Sequence, residues 1–395
     1  MIPYGKHHID EEDIQAVVNV LRSGVLTQGP VIEAFEQAVA AYVGAKYAVA
    51  VSSATAALHL AAIVAGVGPG KTLITSPITF VASANAGLYA GGEVAFADID
   101  PTTVNMSPAS LKLALERNPN TKAVIPVHFA GLPCDMPAIK KLTDDAGAVV
   151  IEDAAHALGA SYPDGRRVGC CAHSLMTVFS FHPVKAIAAG EGGMITTNDE
   201  QAYRKLLRLR SHGINKLNDP LIETAQSQTN GQLNPWYYEM QELGFHYRIT
   251  DIQSALAFSQ FGKLDQFISR RRELAKRYDA AFSSMKNFRP AQNTGRDRSG
   301  HHLYLLRIDF ASIALNRAQL MRELNSKGIG SQVHYIPVPN QPYYRQLGHS
   351  LTGYPHSQLY YQETLSIPLF YDLTNEQQDH IISCISEILK SEKLN

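Results

Sequence analysis

The chain predicts an α/β fold, a mostly parallel sheet with helices on both faces and a smaller unit behind it. Three observations carry that expectation. From residue 48 to residue 197, short apolar runs alternate with segments of helical spacing, the pattern of strands joined by crossover helices. Thr55, Phe80, Asp153 and Ser180 fall at the ends of those runs, and the carboxyl ends of strands are where such sheets hold ligands. Beyond about residue 250 the alternation stops and a long helical stretch begins.

In chain order, Asp10 caps a helix whose Ile14, Val17, Val18 and Leu21 repeat at helical spacing, with Gly24 past its end. A second helix is expected over 30–43, stopped by Gly44. Strands are expected at 48–51, 73–75, 94–97, 123–127, 149–151, 175–181 and 194–197, with helices at 54–65 and 80–89. A helical stretch over 252–283 then leads to a strand at 303–308, a helix at 315–327, a loop rich in Pro and Tyr, and a last helix at 375–389. The expected units are therefore 1–250 and 251–395. The polar, aperiodic segment 218–234 reads as a mobile surface loop.

With 395 residues the chain has room for about two domains and a large core. Its composition, 45% hydrophobic and 18% charged, is that of an ordinary globular protein. A formal net charge of -1 and no long basic run argue against a nucleic-acid partner. Arg270, Arg271 and Arg272 read as a solvated helix face. No stretch approaches the roughly 20 apolar residues of a membrane helix, and residues 1–8 lack a signal-peptide core. Four cysteines without a C-x-x-C, two of them the adjacent Cys170 and Cys171, read as small buried residues in a reducing, cytoplasmic compartment.

Two tempting motifs fail. Residues 65–72 look like a phosphate-binding loop, but Ala65 stands where the first glycine belongs and the segment leads into a strand. The fifteen histidines include no H-E-x-x-H, and the pairs His7-His8 and His301-His302 lack helical ligand spacing, so no catalytic metal is expected.

The residues that carry chemistry gather elsewhere. Lys185 follows Phe179-Ser180-Phe181-His182 and precedes Gly190-Glu191-Gly192-Gly193. Asp153 ends the apolar run 148–151, and His156 lies three residues on. A lysine that can form an imine and a carboxylate that can hold a ring nitrogen protonated are what a pyridoxal phosphate enzyme requires. Singly, the lysine reads as a surface charge and the aspartate as a helix cap; only the constellation points to catalysis. Ser52 to Ala57 places small side chains before a helix N-terminus, which suits a phosphate or a plain cap. Phe80 can lie on a cofactor ring or in the core. Pleating puts Ser180 and His182 on one strand face and the two phenylalanines on the other.

Several blocks span nearly the full length: Leu26-Thr27-Gln28-Gly29, Ser53-Ala54-Thr55, Pro77-Ile78-Thr79-Phe80, Glu152-Asp153-Ala154-Ala155-His156, Ser180-Phe181-His182 with Lys185, and Gly190-Glu191-Gly192-Gly193. Arg210-Ser211-His212-Gly213, Tyr247-Arg248 and Val333-His334-Tyr335 continue them. With these, the chain resembles the sugar aminotransferases of the DegT/DnrJ/EryC1/StrS family. The resemblance implies the aspartate-aminotransferase fold (fold type I), a large α/β/α domain with a smaller C-terminal α+β domain. It is most similar to the branch of the pseudaminic acid pathway. That branch aminates the 4-keto carbon of a UDP-linked 2-acetamido-2,6-dideoxy sugar, forming UDP-4-amino-4,6-dideoxy-N-acetyl-β-L-altrosamine.

The resemblance also implies roles. Lys185 holds pyridoxal 5'-phosphate, with pyridoxamine phosphate as the alternate form, and moves a proton after an amino acid, L-glutamate by resemblance, displaces it. Asp153 keeps the ring nitrogen protonated, His156 and Phe80 lie beside the ring, and Ala54, Thr55 and Ser180 bind the phosphate. The family asparagine that reaches the phosphate from a partner subunit is His246 here, so a homodimer with shared sites is expected. His182, His334 and Tyr335 are substrate candidates, with loop packing as their other reading. The competing readings are another nucleotide-sugar 3- or 4-aminotransferase, a pyridoxamine-phosphate-dependent deoxysugar dehydratase, which carries histidine in place of lysine, and a non-catalytic cofactor-binding protein.

Overall fold

The computed structural model describes residues 1–216, 219–285, 288–313 and 315–391. Its first part runs α1 (Glu11–Ser23), α2 (Pro30–Val43), β1 (Tyr47–Val51), α3 (Ala54–Val64), β2 (Thr72–Thr75), α4 (Val81–Tyr89), β3 (Glu93–Phe96), α5 (Pro108–Arg117), β4 (Thr121–Ile125), α6 (Met136–Asp145), β5 (Val149–Asp153), β6 (Met176–Ser180), β7 (Gly193–Thr197) and α7 (Glu200–Leu209). The seven strands form one sheet in the order β1-β7-β6-β5-β4-β2-β3. Only β7 runs against the others, so the carboxyl ends of the other six share one edge.

Both faces of this sheet are buried, which is why its strands read as continuous apolar runs. Ala48, Ala50, Val124, Val150 and Phe179 pack with Phe35 and Val39 of α2 on one face. Val49, Val51, Ile151, Met176 and Val178 pack with Leu58 and Leu60 of α3 on the other. Three helices not anticipated above, α5, α6 and α7, nevertheless carry start signals. Ser107, Asp135 and Asp199 each accept a backbone N–H as N-cap, and proline opens α5 and α6.

The stretch expected as one helix over 252–283 is two, Asp251–Gly262 and Leu264–Phe282, divided at Lys263. The first begins with a capping box between Thr250 and Gln253 and packs on α1 and α2. Leu264, Phe267 and Ile268 of the second helix join the large core, whereas Leu274, Tyr278 and Phe282 enter a separate one. That second core covers an antiparallel sheet with Tyr304–Ile308 between Phe288–Pro290 and Thr364–Ile367. Helices Arg317–Ser326 and Asn375–Ser391 close it.

Two readings need correction. Arg270, Arg271 and Arg272 do not share a solvated face, because successive helical residues are turned by about 100°. Arg271 is buried and donates to the carbonyls of Leu369 (2.9 Å) and His302 (3.3 Å). Segment 218–234 begins at Asn218, which lies outside the described residues. The remainder is mostly exposed, with Ser227 and Asn234 buried, but not structureless: Gln228–Thr229 and Gln232–Leu233 pair around Asn230 (φ 53°) and Gly231 (φ 76°), the Asn-Gly signature of a two-residue hairpin. Helix α1 forms as expected, with its apolar stripe left outside the core. Ile14 and Leu21 are 47% and 55% exposed, while Asp13 and Val20 are buried. Asp13 accepts from Gln260 (2.5 Å) and Ser259 (2.6 Å) and pairs with Lys263 (2.8 Å), which turns the helix's charged side inward.

Candidate active site

The carboxyl-end edge of the sheet opens on a cavity of ≈ 470 Å³. It is lined by Ala54, Thr55, Phe80, Asp153, His156, Ser180, His182, Lys185, His334 and Tyr335, ten of the eleven predicted site residues. The eleventh, His246, is exposed and lies beside Arg248 (3.2 Å) and the ring of His212, away from the cavity lining.

The dipeptide Glu152-Asp153 ends β5, and pleating sends its two carboxylates to opposite faces. Glu152 is fully buried and accepts from His128 Nε2 (2.7 Å), Ser174 (2.5 Å), Thr177 (3.2 Å) and Tyr162. His128 Nδ1 accepts the Cys134 N–H at 3.1 Å, so the His128 proton sits on Nε2. Burial pushes the Glu152 carboxyl up, but these donors hold it below the ordinary carboxylate range. Glu152 is thus a saturated structural anion. Asp153 faces the cavity instead, and accepts from Ser83 Oγ (2.6 Å) and the Ala155 N–H (3.0 Å). Each of its oxygens keeps lone-pair capacity for a bound group.

Lys185 sits in the turn after β6, its N–H donating to the His182 carbonyl at 2.8 Å. Burial lowers its amine from the ordinary 10.5 to about 8, opposed by the charge of Asp153. Desolvation of this kind makes an amine available as a nucleophile near neutral pH. Three imidazoles surround it. Burial, reinforced by Lys185, keeps His156 and His302 well below the ordinary histidine value and takes His334 down to about 3.

Hydrogen bonding fixes one of these rings. His156 Nδ1 accepts the Ala130 N–H at 3.3 Å, and its Nε2 is 3.1 Å from the Tyr335 hydroxyl. A neutral imidazole with Nδ1 as acceptor carries its proton on Nε2. His156 therefore donates to Tyr335, and the Tyr335 hydroxyl proton is left for an acceptor in the cavity. Burial, with Asp153 nearby, raises the Tyr335 phenol above its ordinary value, so it remains a donor. His334 Nδ1 is 2.7 Å from Ser366 Oγ, and the Tyr360 hydroxyl donates to its carbonyl at 2.8 Å.

The opposite end of the cavity is polar backbone. Ser53 caps α3 by accepting the Ala56 N–H at 3.1 Å. The N–H groups of Ala54 and Thr55 head the helix, where no intrahelical acceptor exists and the dipole is positive. Ser180 closes that end from β6, and Gly193 lies opposite it in register. A Cβ at Gly193 would stand 2.6 Å from the Ala54 nitrogen, so only glycine lets α3 approach the sheet this closely.

Sequence reasoning missed Tyr4, Ser53, Thr79, Glu191 and His302 as lining residues. Tyr4 arrives because the N-terminal segment returns to the second unit, where Ile2 pairs with Ile329; no local pattern marks it. His302 was weighed only as half of a metal-ligand pair. Its backbone N–H donates to the Ala130 carbonyl at 2.9 Å, and its ring lies 4.3 Å from that of His156.

These residues fit pyridoxal phosphate. A desolvated amine, a carboxylate with free lone pairs, an aromatic ring 58% exposed at Phe80 and a helix N-terminus beside a serine surround one cavity. Comparison with known proteins agrees. SpsC, a spore coat polysaccharide biosynthesis protein of Bacillus subtilis (strain 168), is 40% identical over 391 residues, 98% of this chain and 97% of that protein. The putative sugar aminotransferase Spr1654 from Streptococcus pneumoniae, in its PMP form, superposes with a TM-score of 0.89 at 30% identity, covering 99% of this chain and 100% of that one. Its PLP form gives 0.88 at 29% identity over 99% of both chains. PseC of Helicobacter pylori, an aminotransferase involved in the biosynthesis of pseudoaminic acid, superposes with a TM-score of 0.87 at 30% identity over 99% of both chains. With residues 7–386 matched, this chain belongs to the DegT/DnrJ/EryC1/StrS aminotransferase family and is a pyridoxal-phosphate-dependent sugar aminotransferase.

Proposed function

We propose that the protein transfers an amino group from an amino acid, L-glutamate, to the 4-keto carbon of a UDP-linked 2-acetamido-2,6-dideoxy sugar, the step that precedes pseudaminic acid. The convergence of Lys185 and Asp153 on one cavity carries the reaction class. Likeness to PseC over the whole chain supports the sugar. Pyridoxal phosphate, when bound, supplies an aldehyde for amine exchange and a pyridinium that withdraws an electron pair from the adjacent carbon. Lys185, whose amine burial lowers to about 8, would hold the aldehyde and would carry a proton to and from the donor's α carbon. Asp153 holds the proton on the ring nitrogen. Ala54, Thr55 and Ser180 hold the phosphate, and Phe80 and His156 bound the ring. Tyr335 donates its hydroxyl proton to an oxygen in the cavity, and His182 and His334 line the sugar's approach. A lysine at position 185 opposes the dehydratase reading.

The division at 1–250 and 251–395 remains our reading of the domains. The assembly we propose is a homodimer in which His246 of one chain completes the phosphate site of the other. Its exposed position outside the cavity of its own chain supports this. So do the apolar side chains left at the surface, Ile14 and Leu21 on α1 and Trp236, which is 73% exposed. Among the described residues no helix is long and apolar enough to cross a membrane. The four cysteines are unpaired, which supports a reducing, cytoplasmic setting.

A coupled assay over nucleotide-linked 4-keto and 3-keto sugars tests the substrate. The UDP-linked 4-keto-2-acetamido sugar should give the highest kcat/KM, and preference for a 3-keto sugar would overturn the assignment. Subunit mixing tests the shared site. Lys185→Ala and His246→Ala homodimers should each be impaired, whereas their hybrid contains one native site and should regain activity. If hybrids stay as inactive as the parents, His246 serves its own chain.

A further inference from the structure

We infer that Ser83, in the first turn of α4, is a positioning residue that decides where the proton lies between Asp153 and the ring nitrogen of the cofactor. The inference rests on the pairing of Asp153 with that nitrogen proposed above. Ser83 is fully buried, with its Oγ 2.6 Å from Asp153 Oδ2. An ionised carboxylate only accepts, so the serine hydroxyl donates. Behind it, Thr79 Oγ1 lies 2.8 Å from Ser83 Oγ. Because the Ser83 proton is committed to Asp153, Thr79 donates to Ser83. Two hydroxyl dipoles thus align toward one carboxylate within a buried network, where each polarises the next. The same turn carries Phe80, whose carbonyl accepts the Ser83 N–H at 3.3 Å. One short element therefore bears on both the cofactor's ring face and its charged edge.

Hydrogen bonds to the ionised form keep a carboxylate weakly basic. Without the Ser83 donor, Asp153 becomes the stronger base, and the shared proton moves from the ring nitrogen onto the carboxylate. The ring then loses the positive charge that withdraws electrons.

Holoenzyme loaded with pyridoxal phosphate labelled with ¹⁵N in the ring tests this, since the ¹⁵N chemical shift reports protonation at that atom. Ser83→Ala should displace the equilibrium about tenfold toward the neutral ring, the size of one pKa unit. Ser83→Cys keeps the volume but replaces the hydroxyl with a weak donor, so it should follow the alanine variant; recovery of the wild-type spectrum would instead mark a packing role and overturn the inference. Thr79→Val should displace the proton in the same direction by less. Asp153→Asn should leave the ring neutral outright. If it does so while Ser83→Ala matches wild type, the Ser83 inference fails and the site reading stands. If Asp153→Asn retains a protonated ring, the site reading itself fails.

Discussion

Lys185→Ala should retain the fold and lose aminotransferase activity by roughly 10⁴-fold or more, because in the proposed reaction one side chain supplies both the nucleophile and the proton carrier. Borohydride should fix pyridoxal phosphate covalently to the wild-type protein and not to the variant. Covalent attachment at the same stoichiometry in both would show that another lysine is the site. The amine value near 8 gives the pH dependence a definite form. Attachment to apoprotein should quicken about tenfold per pH unit below 8, as the neutral fraction grows, and level off above it. Stability follows with a known sign. The folded amine has a lower pKa than its unfolded value of 10.5, so between about 8 and 10.5 the unfolded chain binds more protons. The apoprotein therefore gains stability as pH rises through that window, and Lys185→Ala should lose that gain. Urea titrations of both proteins at pH 7 and pH 10 measure it.

Asp153→Ala should cost roughly 10³-fold in kcat and also destabilise the apoprotein. The carboxylate is the acceptor for Ser83 Oγ and for the Ala155 N–H. Removing it strands one fully buried hydroxyl and one backbone donor, at about 1–3 kcal/mol for each unsatisfied group. Thermal unfolding of the apoprotein and steady-state kinetics with saturating cofactor separate the two effects. Wild-type kcat in Asp153→Ala would mean that the ring nitrogen finds its partner elsewhere. Glu152, one residue away, provides the contrast. Its carboxylate is consumed by four side-chain donors, so its replacement should affect stability without a selective effect on the cofactor.

Much of this was legible in the chain. Strands buried on both faces appear as apolar runs of four or five residues, and the polar side chains that end or follow them mark the edge of the sheet. That is why Thr55, Phe80, Asp153 and Ser180 could be placed at one edge from position, whereas Lys185 stood out only through the motifs on either side of it. Period-two alternation likewise separated Ser180 and His182 from Phe179 and Phe181, and the structure buries both phenylalanines fully. Helix periodicity was a poorer guide. It identified α1 but not which side faced inward, because burial of Asp13 depends on Gln260, Ser259 and Lys263, nearly 250 residues away. The break at Lys263 and the burial of Arg271 escaped notice for a related reason: backbone carbonyls of distant segments accept from that guanidinium, and a carbonyl has no sequence signature.

From the sequence by itself came the α/β class and the strand-end edge, which follow from local periodicity and strand direction, and the pairing of Lys185 with Asp153 as candidates, which came from the constellation of motifs around them. Tertiary structure alone decided how far burial lowers the Lys185 amine and in which direction the hydrogen bonds around the cavity run. Bringing His156 to the Ala130 N–H and to Tyr335, Ser83 to Asp153, and Tyr4 and His302 to the cavity required folding segments as distant in sequence as Tyr4 and Tyr335 onto one sheet edge. Desolvation and hydrogen-bond direction depend on what lies within a few ångströms in space, and no one-dimensional pattern records that.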